Sequence, residues 1–244
     1  MVFKTCGIVI SSVKFSETSL IVKIYTKAFG LQTYIIKGAR TAGKRGKSHF
    51  FQPLNMLDLE VYRREHKQIN HVKEFSLMHV YRSIPFDILK SSVALFLSEM
   101  LGKTLHEEER NETLFDFMES SLLELDECAQ WDANFHLRFL VKLSRHLGFF
   151  PGGRFSESSP YFDLREGLFV SEIPAHPHYI KPPLSKMFHA LAGEGACIMN
   201  QSGRNEMLEK ILLYYSLHVS GFGKIKSHKV LHEVLEFQPT ETAR

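Results

Sequence analysis

Leu54-Asn55-Met56-Leu57-Asp58-Leu59-Glu60-Val61-Tyr62-Arg63-Arg64 alternates apolar and polar side chains from Leu57 to Tyr62. A period of two marks a strand with one face in a core and the other in water. Leu57, Leu59 and Val61 are therefore expected inside, and Asp58, Glu60 and Tyr62 outside. Upstream, residues 3–12, 19–26 and 31–37 also read as strands, with Leu20, Val22 and Ile24 on one face and a turn at Ala28-Phe29-Gly30. Downstream, residues 69–75 make a fifth. Five strands in about 75 residues leave no room for crossover helices, so the chain begins with a small barrel or an orthogonal sandwich.

The connection between the third and fourth strands is Lys37-Gly38-Ala39-Arg40-Thr41-Ala42-Gly43-Lys44-Arg45-Gly46-Lys47, with five cations, three glycines and no acid. Residues 1–80 hold 13 Lys+Arg against 5 Asp+Glu, whereas residues 81–244 hold 17 against 22. The overall charge of +3 thus conceals a basic head on an acidic body. A basic loop on a small β-domain grips phosphates more readily than it catalyses, and an OB-fold is the commonest barrel in this role. Lys37, Arg40, Lys44, Arg45 and Lys47 are the expected nucleic-acid contacts; a solvated basic turn is the plain alternative. Single-strand binders also stack bases on aromatic rings. Among Tyr25, Tyr34, Phe50, Phe51 and Tyr62, the phase of Tyr62 makes it the ring expected at the surface.

After residue 80 the pattern turns helical. Pro85 sits where a first-turn proline belongs, ahead of Ile88, Leu89, Val93, Phe96, Leu97, Met100 and Leu101. Asn111 is placed to cap a second helix reaching residue 127, with Leu114, Phe117, Met118, Leu122 and Leu125 inward. A third helix spans 132–147 and stops at Gly148 and Pro151. Residues 148–183 are rich in Gly, Pro and Ser, with a short hairpin expected at 161–164 and 168–170 around Arg165-Glu166-Gly167. Later helices are expected at 183–191, 205–218 and 227–236. The fold class is α+β with two domains: an OB-fold barrel at 1–80, then an α-helical domain at 81–244 with a loop-rich, hairpin-bearing insertion at about 148–183.

Enzyme signatures are weak. Gly38-Ala39-Arg40-Thr41-Ala42-Gly43-Lys44-Arg45 follows the P-loop pattern until Arg45 replaces the magnesium-holding Ser or Thr. No Gly-x-Ser-x-Gly elbow occurs, and Glu107-Glu108-Glu109 reads as a solvated stretch. His176-Pro177-His178, with Asp163 and Glu166, is the most metal-like group, but it lies in a loop that does not fix its geometry. Cys6, Cys128 and Cys197 are odd in number and far apart, so neither a disulfide framework nor a cysteine zinc site is expected, and a reducing cytoplasm is. Apolar runs are too short to span a bilayer, so no membrane association is expected. In the third helix Arg138, Lys142 and Arg145 fall at i, i+4 and i+7. Such a stripe is either an ordinary solvent face or a clamp for an acidic peptide.

The chain resembles the RecO family of bacterial recombination mediators. The resemblance runs through Gly7-Ile8-Val9-Ile10, Phe15-Ser16-Glu17-Thr18-Ser19-Leu20-Ile21-Val22, Thr26-Lys27-Ala28-Phe29-Gly30, Lys37-Gly38-Ala39-Arg40 and Phe51-Gln52-Pro53-Leu54. It continues in Arg138-Phe139-Leu140, Leu147-Gly148-Phe149 and Tyr214-Tyr215-Ser216-Leu217-His218, followed by Gly221, Lys226 and Ser227. It implies a non-enzymatic, cytoplasmic, nucleoid-associated protein without cofactors that binds single- and double-stranded DNA and anneals complementary strands. With RecR, it would load RecA onto DNA coated by single-stranded-DNA-binding protein, whose acidic C-terminal tail would meet the Arg138, Lys142 and Arg145 face. Its basic loop would be Lys37, Arg40, Lys44, Arg45 and Lys47. Many members of the family carry a four-cysteine zinc site after the third helix; residues 149–180 contain no cysteine here, so zinc is not carried over and aromatic packing of the hairpin is expected instead. Two other readings remain open: an RNA- or tRNA-binding OB module with a helical interaction domain, and an enzyme using the 153–178 loops.

Overall fold

The computed structural model describes residues 1–40, 46–63, 69–106, 110–193 and 197–236. The expected contacts Lys44 and Arg45 lie outside the described residues, as does the acidic run at 107–109. The chain divides into two compact units, Met1–Cys128 and Ala129–Arg244.

In the first unit β1 (Val2–Lys14), β2 (Leu20–Thr26), β3 (Gly30–Ile36), β4 (Met56–Tyr62) and β5 (Asn70–Leu77) close a barrel in the order β1-β2-β3-β5-β4, with β4 returning to β1. All neighbours are antiparallel except β3 and β5. This is the OB arrangement. Alternation sends Leu20, Val22, Ile24, Tyr34, Leu57, Leu59 and Val61 into one core. Gly7 lies where β1 pairs on both edges; a Cβ there would come within 2.5 Å of Ile24 and 2.8 Å of Leu59. On the other side of β1, Ile8 and Ile10 are also buried, and Ser98 of α1 (Ile88–Thr104) donates to the Ile10 carbonyl at 3.2 Å. Helices thus cover this side of the barrel.

The last barrel strand ends at Leu77 and the first helix begins at Ile88, and the first compact unit continues through α1 and α2 (Glu112–Glu127). Asp126 ties this segment together. Its wholly buried carboxylate accepts from the amides of Arg82, Ser83 and Ile84 at 2.8–3.1 Å, and from His79 at 3.3 Å. Burial alone would raise the pKa of this group. The amides of Arg82, Ile84 and Ser83, followed by His79, more than offset that and hold it well below the carboxylate range. Lys90 adds bonds to the Asp126 and Cys128 carbonyls, both at 3.0 Å.

Two details differ from the sequence reading. Pro85 lies in a turn before α1, where Asp87 and not the proline starts the helix: the Asp87 side chain accepts from the Leu89 and Lys90 amides. In α2 Phe115 is buried and Phe117 only half so, because the helix must turn Asp126 inward as well as its leucines. Asn111 does cap α2, accepting from Leu114 at 3.0 Å.

The second unit packs α3 (Phe135–His146) on α4 (Leu184–Ala192) and α5 (Gln201–His218), with α6 (Ser227–Glu236) following. α5 begins four residues earlier than expected because Asn200 caps it, accepting from Gly203 at 2.8 Å. The insertion contains the expected hairpin, β6 (Tyr161–Asp163) and β7 (Leu168–Val170), and an unexpected third strand, β8 (Tyr179–Ile180), on the other edge of β6. Phe162 is fully buried, with ring centroids 4.9 Å from Phe169, 4.7 Å from Phe188 and 5.7 Å from Tyr214. The hairpin is therefore held by aromatic packing.

Two outcomes follow for stability. Asp126→Ala leaves the Arg82, Ser83 and Ile84 amides, the last of them buried, without their acceptor and should cost about 3 kcal/mol or more, whereas Asp116→Ala, which removes the exposed ion pair to Lys27, should cost under about 1 kcal/mol; denaturant titration of both variants reads the difference. His136 in α3 is buried, and desolvation, assisted by Arg204, pushes its imidazole down to about 4. Its contribution is present above the unfolded value near 6.5 and is lost as pH falls from there toward 4, up to about 3 kcal/mol. Melting curves over that range should show the loss, and His136→Phe should reduce the slope.

Candidate nucleic-acid interface

The 40 residues from Thr18 to Leu57 contain no Asp or Glu but seven Lys and Arg. Of the five acids in residues 1–80, Asp58, Glu60 and Glu74 alternate outward on β4 and β5. There Lys73, and then Lys4, bind Glu60 at 2.9 and 3.3 Å and hold its carboxyl below the ordinary value. The acids and their partner lysines thus share the β1–β4–β5 wall. On the β2–β3 wall Lys23 is exposed, and Lys37 and Lys47 are exposed at either end of the β3–β4 connection, in a stretch of sequence without an acid.

The described flanks of the basic connection are pinned to the barrel. Ala39 is fully buried in the core, and its carbonyl accepts from the Lys47 amide at 2.8 Å. The next residues form a 3₁₀ turn, Ser48–Phe51, that drives Phe51 into the same core. Gly38, at φ +68°, makes the bend after β3. Lys37 and Lys47 are exposed, with the Lys47 ammonium 5.4 Å from the Phe75 ring centre. Arg40 differs from them. It is half-buried, donates to the Ser16 carbonyl at 2.9 Å, and its amide donates to Thr18 at 3.1 Å. Arg40 therefore fastens the connection to the β1–β2 turn, and the remaining guanidinium donors stay available to a phosphate.

Of the candidate rings, Tyr25, Tyr34 and Phe51 are buried, Phe50 is half-buried, and Tyr62 is 45% exposed. The strand register places Tyr62 on one outer row: Val2–Tyr62–His71–Ile35–Ile21–Val13. Lys23 occupies the next outer row of β2, opposite Thr33, and is exposed. Sequence reading did not single out Lys23, His71 or Val13. The phase of Lys23 between Val22 and Ile24 carried that information, but which strands lie side by side did not.

Arg138, Lys142 and Arg145 do share the outer face of α3, whose inner face is Phe135, Leu137, Phe139, Leu140, Val141 and Leu143. Arg138 forms an ion pair with Asp132, and the Arg145 guanidinium lies 4.0 Å from the Phe150 ring centre. Lys142 is exposed.

The histidine loop is accounted for by local structure. Asp163 accepts from the Arg165 and Glu166 amides at 2.8 and 3.2 Å and meets His176 at 3.2 Å, so it shapes the hairpin turn. Among the described residues no group of three or more His, Cys, Asp or Glu could hold a metal. Cys6, Cys128 and Cys197 sit in β1, at the end of α2 and ahead of α5, so the thiols present do not fit a four-thiolate zinc site. No helix among the described residues is long and apolar enough to cross a membrane.

Comparison with known proteins agrees with this architecture. Residues 1–81 match the family model "Recombination protein O N terminal", and residues 85–228 match "Recombination protein O C terminal". The DNA repair protein RecO of Flavobacterium psychrophilum is 36% identical over 240 residues, covering 96% of this chain and 99% of the relative. Those of Phocaeicola vulgatus and Bacteroides fragilis are each 35% identical, over 239 and 242 residues, covering 96% and 97% of this chain and 99% and 100% of the relatives. The chain belongs to the RecO family, whose role is in DNA repair and recombination.

Proposed function

We propose that the protein is a recombination mediator that binds single- and double-stranded DNA, anneals complementary strands and, with RecR, helps load RecA onto DNA coated by single-stranded-DNA-binding protein. It acts by binding and placing strands, and no bond is made or broken. The observation that carries the reading is the separation of charge on the barrel: Asp58, Glu60 and Glu74 lie on β4 and β5, where Lys4 of β1 and Lys73 pair with Glu60, and Lys37, Lys47 and Lys23 are exposed on an acid-free stretch. In this reading residues 1–80 are the DNA-binding domain, with Lys37, Arg40, Lys44, Arg45 and Lys47 on phosphates and Tyr62 under a base. Residues 81–244 are the domain that meets protein partners. Phosphate contacts position the strand without reading sequence, as a protein that must act on any broken DNA requires.

Five phosphate contacts at this connection contribute about −3.5 to the slope of log K against log salt for single-stranded DNA, at about −0.7 per contact. Reversing Lys37, Lys44, Arg45 and Lys47 to Glu should flatten that slope and weaken binding to all sequences alike. Arg40 is left in place because it also fastens the connection. Unchanged affinity would remove the connection from the mechanism. Preference for structured RNA over single-stranded DNA in a competition titration would favour an RNA-binding module.

The α3 face is proposed to receive the acidic C-terminal tail of single-stranded-DNA-binding protein. Asp132 and Phe150 already orient two of its arginines, so less side-chain entropy is lost on binding. Lys142→Glu alters an exposed position and should reduce tail binding at least about tenfold, the equivalent of one charge-assisted contact of about 1.5 kcal/mol. Affinity for naked DNA should stay within about twofold. Full retention of tail binding by the Arg138→Glu/Lys142→Glu/Arg145→Glu variant would return this face to solvent.

A further inference from the structure

A second acid-free basic segment lies in the Ala129–Arg244 unit. From Lys210 to His232 there is no Asp or Glu, and the segment contains Gly221-Phe222-Gly223-Lys224-Ile225-Lys226-Ser227-His228-Lys229. Like the β3–β4 connection, it joins glycines to cations: Gly221 and Gly223 take φ values of 70° and 65°, which bend the chain sharply after α5. A cavity of about 770 Å³ opens here, bounded by Leu212, Leu213 and Ser216 of α5, by Phe222 to Lys226, and by His228 and Lys229 at the start of α6.

The cavity has an apolar floor and a cationic rim. Phe222 and Ile225 are 4% and 6% exposed, so they serve as floor and not as stacking platforms. Lys224, Lys226 and Lys229 are exposed, and no acid among the described residues lines the cavity. Ile225 is buried between Lys224 and Lys226, both of which are exposed.

We propose that this cavity is a second single-strand-binding site, with Lys224, Lys226 and Lys229 on the phosphates and one unstacked base lodged over Leu212, Leu213 and Ile225. The volume lies in the range of ligand pockets and well above that of one base. An acidic peptide with an apolar side chain would meet the same rim. Nucleic acid is favoured because the segment repeats the glycine-and-cation make-up of the basic connection on the barrel. The proposal rests on the annealing function proposed above and supplies what annealing needs, which is a second place on the chain for DNA.

The test uses the full chain and a fluorescent oligothymidylate. Acetylation of lysines, read by mass spectrometry with and without the oligonucleotide, should show protection of Lys224, Lys226 and Lys229. In the Lys224→Ala/Lys226→Ala/Lys229→Ala variant, annealing of complementary strands should fall about tenfold or more and the salt slope should shrink by about 2, at roughly 0.7 per lost contact. A Lys→Arg variant at the same three positions should keep both, which separates lost charge from lost fold. Unprotected lysines together with normal annealing would overturn the proposal. So would protection by an acidic, phenylalanine-ended peptide and none by the oligonucleotide, which would make the cavity a peptide site. If the wild-type protein protects these lysines on DNA and yet does not anneal, the site stands and the annealing function falls.

Discussion

The barrel depends on β1 pairing along both edges. Val2–Lys14 meets β4 through its first half and β2 through its second, and the two pairings overlap at Gly7 and Ile8. At Gly7 the walls come so close that Ile24 and Leu59 fill the space a side chain would need. The register shift between Val9 and Ser11 then lets the strand turn from one partner to the other. Once β1 is shared in this way, inside and outside are fixed for every other strand, because a slip of one residue would invert all of them.

Charge follows from that alternation. Leu57, Leu59 and Val61 must face in, so Asp58 and Glu60 must face out, and the β1–β4 pairing brings Lys4 opposite Glu60. The same rule on β2 turns Lys23 out between Val22 and Ile24, but its neighbours there are Ser11 and Thr33 and not a carboxylate. A chain whose overall charge is only +3 can thus carry a strongly polarised barrel surface. The cations of the β3–β4 connection add to it, and Ala39 and Phe51 are anchored in the core.

What was legible in the sequence is what depends on short-range pattern. The five strands, the Asn111 cap and the 161–170 hairpin each announce themselves within a window of a few residues. What was hidden depends on long-range partners. Pro85 looks like a helix start until Asp126, some 40 residues away, collects the Arg82, Ser83 and Ile84 amides and sets this segment in a turn. β8 is two residues long and exists as a strand only because β6 has a free edge. In the candidate site the cations were legible by composition and Tyr62 by phase. The anchoring role of Arg40 was not, because its partner Ser16 lies across the β1–β2 turn.

The insertion of the second unit shows how packing can do the work that the resemblance assigns to thiolates and a metal in many relatives. A short two-stranded hairpin is at best marginal alone in water. Here Phe162 brings Phe169, Phe188 and Tyr214 around one buried ring, and Tyr214 ties the far side by donating to the Phe149 carbonyl at 2.6 Å. His218 stacks on Phe149 and reaches the Leu164 carbonyl at 2.9 Å, so α5 grips the insertion at two points. Gly167 is required in turn: at φ +68° its backbone passes so close to the Tyr214 hydroxyl that a Cβ would meet it at 2.9 Å. Each aromatic pair adds about 0.5–1.5 kcal/mol beyond the area it buries, so a handful of them approaches the 2–4 kcal/mol typical of a covalent cross-link. The hairpin is therefore an outgrowth of the helical core, and its stability is coupled to α4 and α5.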